Sequence, residues 1–184
     1  MNARYITAKD TAKLVRKALK RAFPDTTFSV RSDHNSINVR WTDGPTTAQV
    51  DPIAKQYQGG GFDGMIDLAY TSQSWLLPDG SATWAHSAGT EGSMGVVESY
   101  DYPPPPGAEL VNFGAKYVFT SRDYSAAFLG RMISEACDYY QIDERPTITT
   151  GRYGGVYLDG EVWIDRLNDY NLRIVHKWAA KVAA

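Results

Sequence analysis

A single change of hydrophobic period within the first forty residues constrains the fold more than any other feature. Leu14, Val15, Ala18, Leu19 and Ala22 recur at helical spacing. Phe28-Ser29-Val30-Arg31 and Ile37-Asn38-Val39-Arg40-Trp41 instead alternate as half-buried strands do. Thr7 is placed to cap the helix, Asp10 follows three residues on, and Pro24 stops it. The polar stretch Ser32-Asp33-His34-Asn35 between the alternating runs predicts a hairpin.

The same reading extends along the chain. Thr42-Asp43-Gly44-Pro45 breaks the strand, and residues 46–57 place Val50, Ile53, Ala54 and Tyr57 on one helical face, with Pro52 inside it. Gly59-Gly60-Gly61 is expected to end that helix and let the chain bend. Residues 62–68 suit a short strand or a helical turn. Residues 74–77 and 82–84 flank a Pro78-Asp79-Gly80 turn. Residues 86–95 read as a long loop, and the four prolines at 103–106 with Gly107 as a stiff connector. A strand at 116–120 precedes a helix from about Ser125. Asp159-Gly160 joins 156–158 to 161–164 as a hairpin, and a last helix starts near Asp169. This mixed order predicts one α+β domain over 1–184, with a largely antiparallel sheet and hairpins packed against about four helices. Residues 150–184 belong to the same unit in this reading.

Composition narrows the class. A chain of 184 residues has room for one domain, and no apolar run approaches the ~20 residues that span a bilayer. The segment MNARYITAKDTAKL has no secretory-signal pattern, and Cys137 as the single cysteine excludes an internal disulfide framework. A cytoplasmic protein without a membrane partner is the expectation. The net charge of −2 conceals a segregation: residues 1–23 carry seven basic side chains and one acid, the remainder 12 basic and 20 acidic. Lys13, Arg16, Lys17, Lys20 and Arg21 interrupt the apolar stripe of the first helix and form its basic face. That face could engage nucleic acid or an acidic protein surface, or dock the helix on its own domain. No aromatic side chain interleaves with it as a single-strand platform requires.

No complete catalytic set emerges. His34, His86 and His176 are scattered, and neither a Cys-x-x-Cys, a Gly-x-Ser-x-Gly elbow nor a phosphate loop occurs. Cys137 falls on an apolar helical stripe, as a small buried hydrophobe does. Asp63 and Asp67, with Glu91, could converge on a hard divalent cation if their segment were helical; in a tight turn the aspartates bond their own backbone instead. Trp41 continues the Ile37/Val39 face towards the core, with Asp43 placed to cap the next helix; the alternative is a binding loop with an aromatic platform. Neither a resident metal nor a cofactor is expected.

Three phrases carry a resemblance: Trp41-Thr42-Asp43-Gly44-Pro45, Gly61-Phe62-Asp63-Gly64-Met65-Ile66-Asp67 and Gly89-Thr90-Glu91-Gly92-Ser93-Met94-Gly95. With the preceding helix and strand, the chain resembles the large polyvalent protein associated domain 29 family over about residues 7–70, and more loosely to about 130. The resemblance implies an accessory role in a phage or plasmid, with protection against host defence as the use; taken with the segregated charge, the expected contact is with a host or mobile-element protein first and with nucleic acid, through the basic first helix, second. It brings no catalytic residues, so Trp41, Asp43, Gly44, Pro45, Phe62, Asp63, Gly64, Asp67 and Glu91 enter as family motif without an assigned role. The alternatives are a divalent-metal enzyme using Asp63, Asp67 and Glu91, and a structural subunit of a mobile-element assembly.

Overall fold

A computed structural model describes residues 3–65, 67–88, 103–140, 148–150 and 156–158. The elements run β1 (Arg4–Ile6), α1 (Ala8–Ala22), β2 (Ser29–Ser32), β3 (Ser36–Thr42), α2 (Thr47–Lys55), β4 (Gly60–Asp63), β5 (Leu68–Leu76) and β6 (Ala82–Ala88). They continue with β7 (Glu109–Phe113), β8 (Tyr117–Asp123), α3 (Ala126–Tyr140), β9 (Ile148–Thr150) and β10 (Val156–Leu158). The chain divides into two compact units, Met1–Arg40 with Gln49–Ser121 and Trp41–Ala48 with Arg122–Ala184.

The first helix forms as its spacing requires. Thr7 accepts a hydrogen bond from the Asp10 amide at 3.1 Å and donates its hydroxyl to the Asp10 carboxylate at 2.7 Å. Such a cap contributes about 1 kcal/mol. Ala12, Val15, Ala18 and Leu19 are buried, and α1 lies against β2. Each large aliphatic side chain so buried stabilises by about 1.5–3 kcal/mol.

β2 and β3 form the expected antiparallel hairpin, Val30 facing Val39 and Arg31 facing Asn38. β8 completes a three-stranded sheet in the order β2-β3-β8. The Asn35 carbonyl accepts from the Lys116 amide at one end of the β3–β8 ladder, and the Asp43 amide donates to the Asp123 carbonyl at the other, so these two strands run parallel. Ile37, Val39 and Val118 are buried, while Ser29, Arg31, Asn38, Arg40, Phe119 and Ser121 face solvent.

The larger sheet is also mixed. β5 pairs antiparallel with β6 along one edge; along the other it pairs with β4 from Leu68 to Thr71 and then with β7 from Ser74 to Leu76. β1 adds to β7 in parallel. The expectation of a largely antiparallel sheet is corrected here: parallel pairing enters through β1, a three-residue strand too short to show alternation, and through the crossover from β3 to β8. Three helices rather than four occur among the described residues; the expected helix from Asp169 and the strand 161–164 lie outside them. His86 belongs to β6 rather than to a loop, and the second helix ends at Lys55, two residues early. β10 pairs with β9.

Tyr57, Val50 and Ala54 are fully buried, and the Tyr57 hydroxyl donates to the Gly80 carbonyl at 2.7 Å, pinning the turn between β5 and β6. Burial pushes the Tyr57 pKa up to about 12, Arg21 opposing and Asp79 adding to the rise. Because the folded value lies above the unfolded value of about 10, this contribution is complete below pH ~10 and lost as pH rises through ~12. Tyr57→Phe should therefore cost about 1 kcal/mol at neutral pH and lose stability less steeply than the parent in alkali. Thermal melts across that range check this; parallel curves would reject it.

Candidate functional site

α1 carries its basic face into solvent, as the apolar stripe on the opposite side demands. Lys13, Arg16, Lys17, Lys20 and Arg21 are all exposed. The structure sorts them by what they touch. Lys13 pairs with Asp10 at 2.7 Å and lowers that acid's pKa, helped by the Thr7 hydroxyl. Arg21 donates to the Asp79 carbonyl at 3.1 Å and lies 3.8 Å from its carboxylate. Arg16 donates to the Val30 carbonyl and Lys20 to the Pro24 carbonyl. A carbonyl orients a cation without cancelling its charge. Arg16, Lys17 and Lys20 thus face no carboxylate within ion-pair distance among the described residues. Arg16 and Arg21 tie the helix to its own domain, the docking read from the sequence, while Arg16, Lys17 and Lys20 point outward without a carboxylate among the described residues.

The Trp41–Pro45 motif builds a braced corner. Trp41 is 3% exposed, and its indole N–H donates to the Pro45 carbonyl at 2.8 Å. Asp43 and Gly44 both take left-handed backbone, φ 55° and 59°. Arg122, 9% exposed, donates to the Asp43 carbonyl at 3.0 Å and the Gly44 carbonyl at 2.9 Å. Its guanidinium lies 5.1 Å from the Tyr124 ring centre and 4.9 Å from that of Phe128, and these two rings stack at 5.5 Å. Burial lowers the Arg122 pKa from the usual arginine value; the charge of Tyr124 and then of Asp43 opposes this. The core role read for Trp41 is found. The cap read for Asp43 is corrected: its carboxylate accepts from the Ser125 amide at 2.8 Å, just before α3.

The carboxylate cluster finds no helix. Phe62 and Asp63 end β4, Gly64 lies in the turn, Asp67 holds φ 56° and Leu68 opens β5, with Asp63 paired to Leu68 in the ladder. Phe62 is 56% exposed. Glu91 lies outside the described residues. Among those residues no three His, Cys, Asp or Glu groups gather where they could hold a metal ion.

A feature the sequence did not reveal lies where β5 passes from β4 to β7. A cavity of about 260 Å³ opens there, lined by Gly59, Ser72, Gln73, Asn112 and Lys116 among others. The Ser72 amide donates to the Gly59 carbonyl at 3.0 Å, and the Gly59 amide to the Ala115 carbonyl at 2.8 Å. Its lining comes from segments some fifty residues apart, and no local pattern announces such a meeting. No described helix is long and apolar enough to cross a membrane.

The model of one protein family, large polyvalent protein associated domain 29, matches residues 6–125. The match starts just before α1 and ends at Ser125, taking in the basic helix, the Trp41–Pro45 corner and the cavity lining other than Tyr5. No curated protein and no solved structure gives a match.

Proposed function

Because the chain belongs to the large polyvalent protein associated domain 29 family, whose members take a polyvalent-protein-associated role in mobile elements, we propose that it is an accessory binding protein of a phage or plasmid. It works by contact rather than bond chemistry, in the cytoplasm of the host, and countering host defence is the use this contact serves. The helix α1 docks it on a polyanionic surface, an acidic face of a host or mobile-element protein in the first place. The single observation that carries this reading is the outward row Arg16, Lys17 and Lys20, which meets no carboxylate among the described residues.

Reversing charge at Lys13, Arg16 and Lys17 to Glu tests it. Retention on immobilised heparin and capture of an acidic partner from host lysate should both be lost, while the thermal melt shifts by no more than a few degrees. Unchanged retention by a folded triple variant removes α1 from the account.

A further inference from the structure

The outward face of β2, β3 and β8 offers a second binding surface with chemistry of its own. Arg31 and Arg40 point into solvent from β2 and β3, and neither has an ion-pair partner among the described residues. Asn38 stands opposite Arg31 in the hairpin. The bond from the Asp43 amide to the Asp123 carbonyl sets the parallel register and puts Phe119 beside Asn38. Arg31, Asn38 and Phe119 thus lie in one row across two strand spacings, about 10 Å. Phe119 is 55% exposed, and its ring lies 6.1 Å from that of Tyr117 at an interplanar angle of 23°. Ser121 follows Phe119 at the next outward position of β8, and the exposed Asp123 ends the strand.

The exposed Phe119 ring, extended by its stack on the half-buried Tyr117, offers a flat apolar surface to a planar group. Two guanidinium groups on the same face, with no ion-pair partner among the described residues, call for an anion. A partner with planar apolar faces and regularly spaced negative charge satisfies both demands, and a single-stranded nucleic acid has that structure: its bases stack on aromatic side chains while arginine binds its phosphates. A duplex hides its base faces, and an acidic peptide has none to stack.

We propose that the β2-β3-β8 face binds single-stranded nucleic acid without sequence preference, Phe119 and Tyr117 stacking bases and Arg31 and Arg40 holding the backbone. This surface is separate from the outward face of α1, and neither role depends on the other.

Fluorescence anisotropy with a labelled oligodeoxythymidine of about 20 nucleotides, a duplex of the same length and labelled polyglutamate tests the proposal on the full chain at low salt. The single strand should bind tightest. Phe119→Ala should weaken it by about tenfold, and Phe119→Trp should retain it. Arg31→Glu with Arg40→Glu should weaken it further and flatten its salt dependence. Phe119 is exposed, so its variants keep the fold, which the thermal melt verifies. Undetectable single-strand binding overturns the proposal, as does binding that is indifferent to Phe119→Ala or matched by polyglutamate. Single-strand binding that vanishes on charge reversal in α1 but survives Phe119→Ala also overturns it, placing the strand on the helix. The converse result supports the sheet and counts against the helix as a nucleic-acid site.

Discussion

Gly59→Ala should lower the melting temperature by about 6 °C or more, although it adds one methyl group. A Cβ built at Gly59 would stand 1.8 Å from the Phe113 carbonyl oxygen and 2.8 Å from its carbon. Both are backbone atoms of β7, so no side chain can swing away. Gly59 is itself held by its amide bond to Ala115 and by its carbonyl bond from Ser72, and yielding would stretch both. Overpacking of this kind costs on the order of 3 kcal/mol when the obstacle is backbone. In a chain of this length each kcal/mol is worth about 2–4 °C. Gly64→Ala is the matching control, because nothing lies within 4 Å of its Cβ. It should melt within about 1 °C of the parent. Equal melts for the two variants would mean that the approach of residue 59 to β7 does not exist.

Arg122→Ala should be nearly as costly, by about 3 kcal/mol in urea denaturation. It strips the donors from the Asp43 and Gly44 carbonyls and the cation from the faces of Tyr124 and Phe128. An acceptor left without its donor in a buried place costs about 1–3 kcal/mol, and the lost cation–π contacts add about 1 kcal/mol. Arg122→Lys should fall between, since one ammonium group reproduces the charge but not the fork that reaches two carbonyls. A parent-like midpoint for Arg122→Ala would show that the Trp41–Pro45 corner stands without this brace. The corner then could move, and the case for reading its family motif as scaffold would weaken.

The contrast between α1 and Gly59 shows what this sequence discloses and what it withholds. Periodicity is a local signal, so α1, the β2–β3 hairpin, the turn at Pro78-Asp79-Gly80 and the start of α3 could all be read from a dozen residues at a time. The burial of Trp41 followed from the same alternation. Gly59 carries a constraint that its local pattern does not announce. Gly59 does not take left-handed backbone; it is needed because β7, more than fifty residues away, passes where a side chain would be. Arg122 has the same character. Nothing in the run Thr120-Ser121-Arg122-Asp123 says that its guanidinium closes a corner eighty residues upstream. The parallel additions of β1 and β8 were likewise invisible, because parallel partners are set by crossover and not by a turn.

The basic helix was legible as composition, but its electrostatics required the structure. Sequence spacing gives five cations on one face. Two of them face acids, Asp10 and Asp79, Arg16 and Lys20 bond carbonyls, and Lys17 has no bonded partner among the described residues. The neighbouring rings Tyr117 and Phe119 lie about eighty residues along the chain from the hairpin that carries Arg31 and Arg40. Only the β3–β8 pairing brings those rings onto the face of those arginines.

The most direct test of the whole account is a salt titration of binding, with duplex DNA of about 20 base pairs as the polyanion for α1. Each phosphate neutralised contributes about −0.9 to the slope of log K against log salt. Arg16, Lys17 and Lys20 together predict a slope near −2.7 for the parent protein, collapsing towards zero when Arg16, Lys17 and Lys20 are reversed to Glu. A slope that stays the same in the reversed variant, with the fold intact, would contradict the claim that this helix presents working charge to a partner.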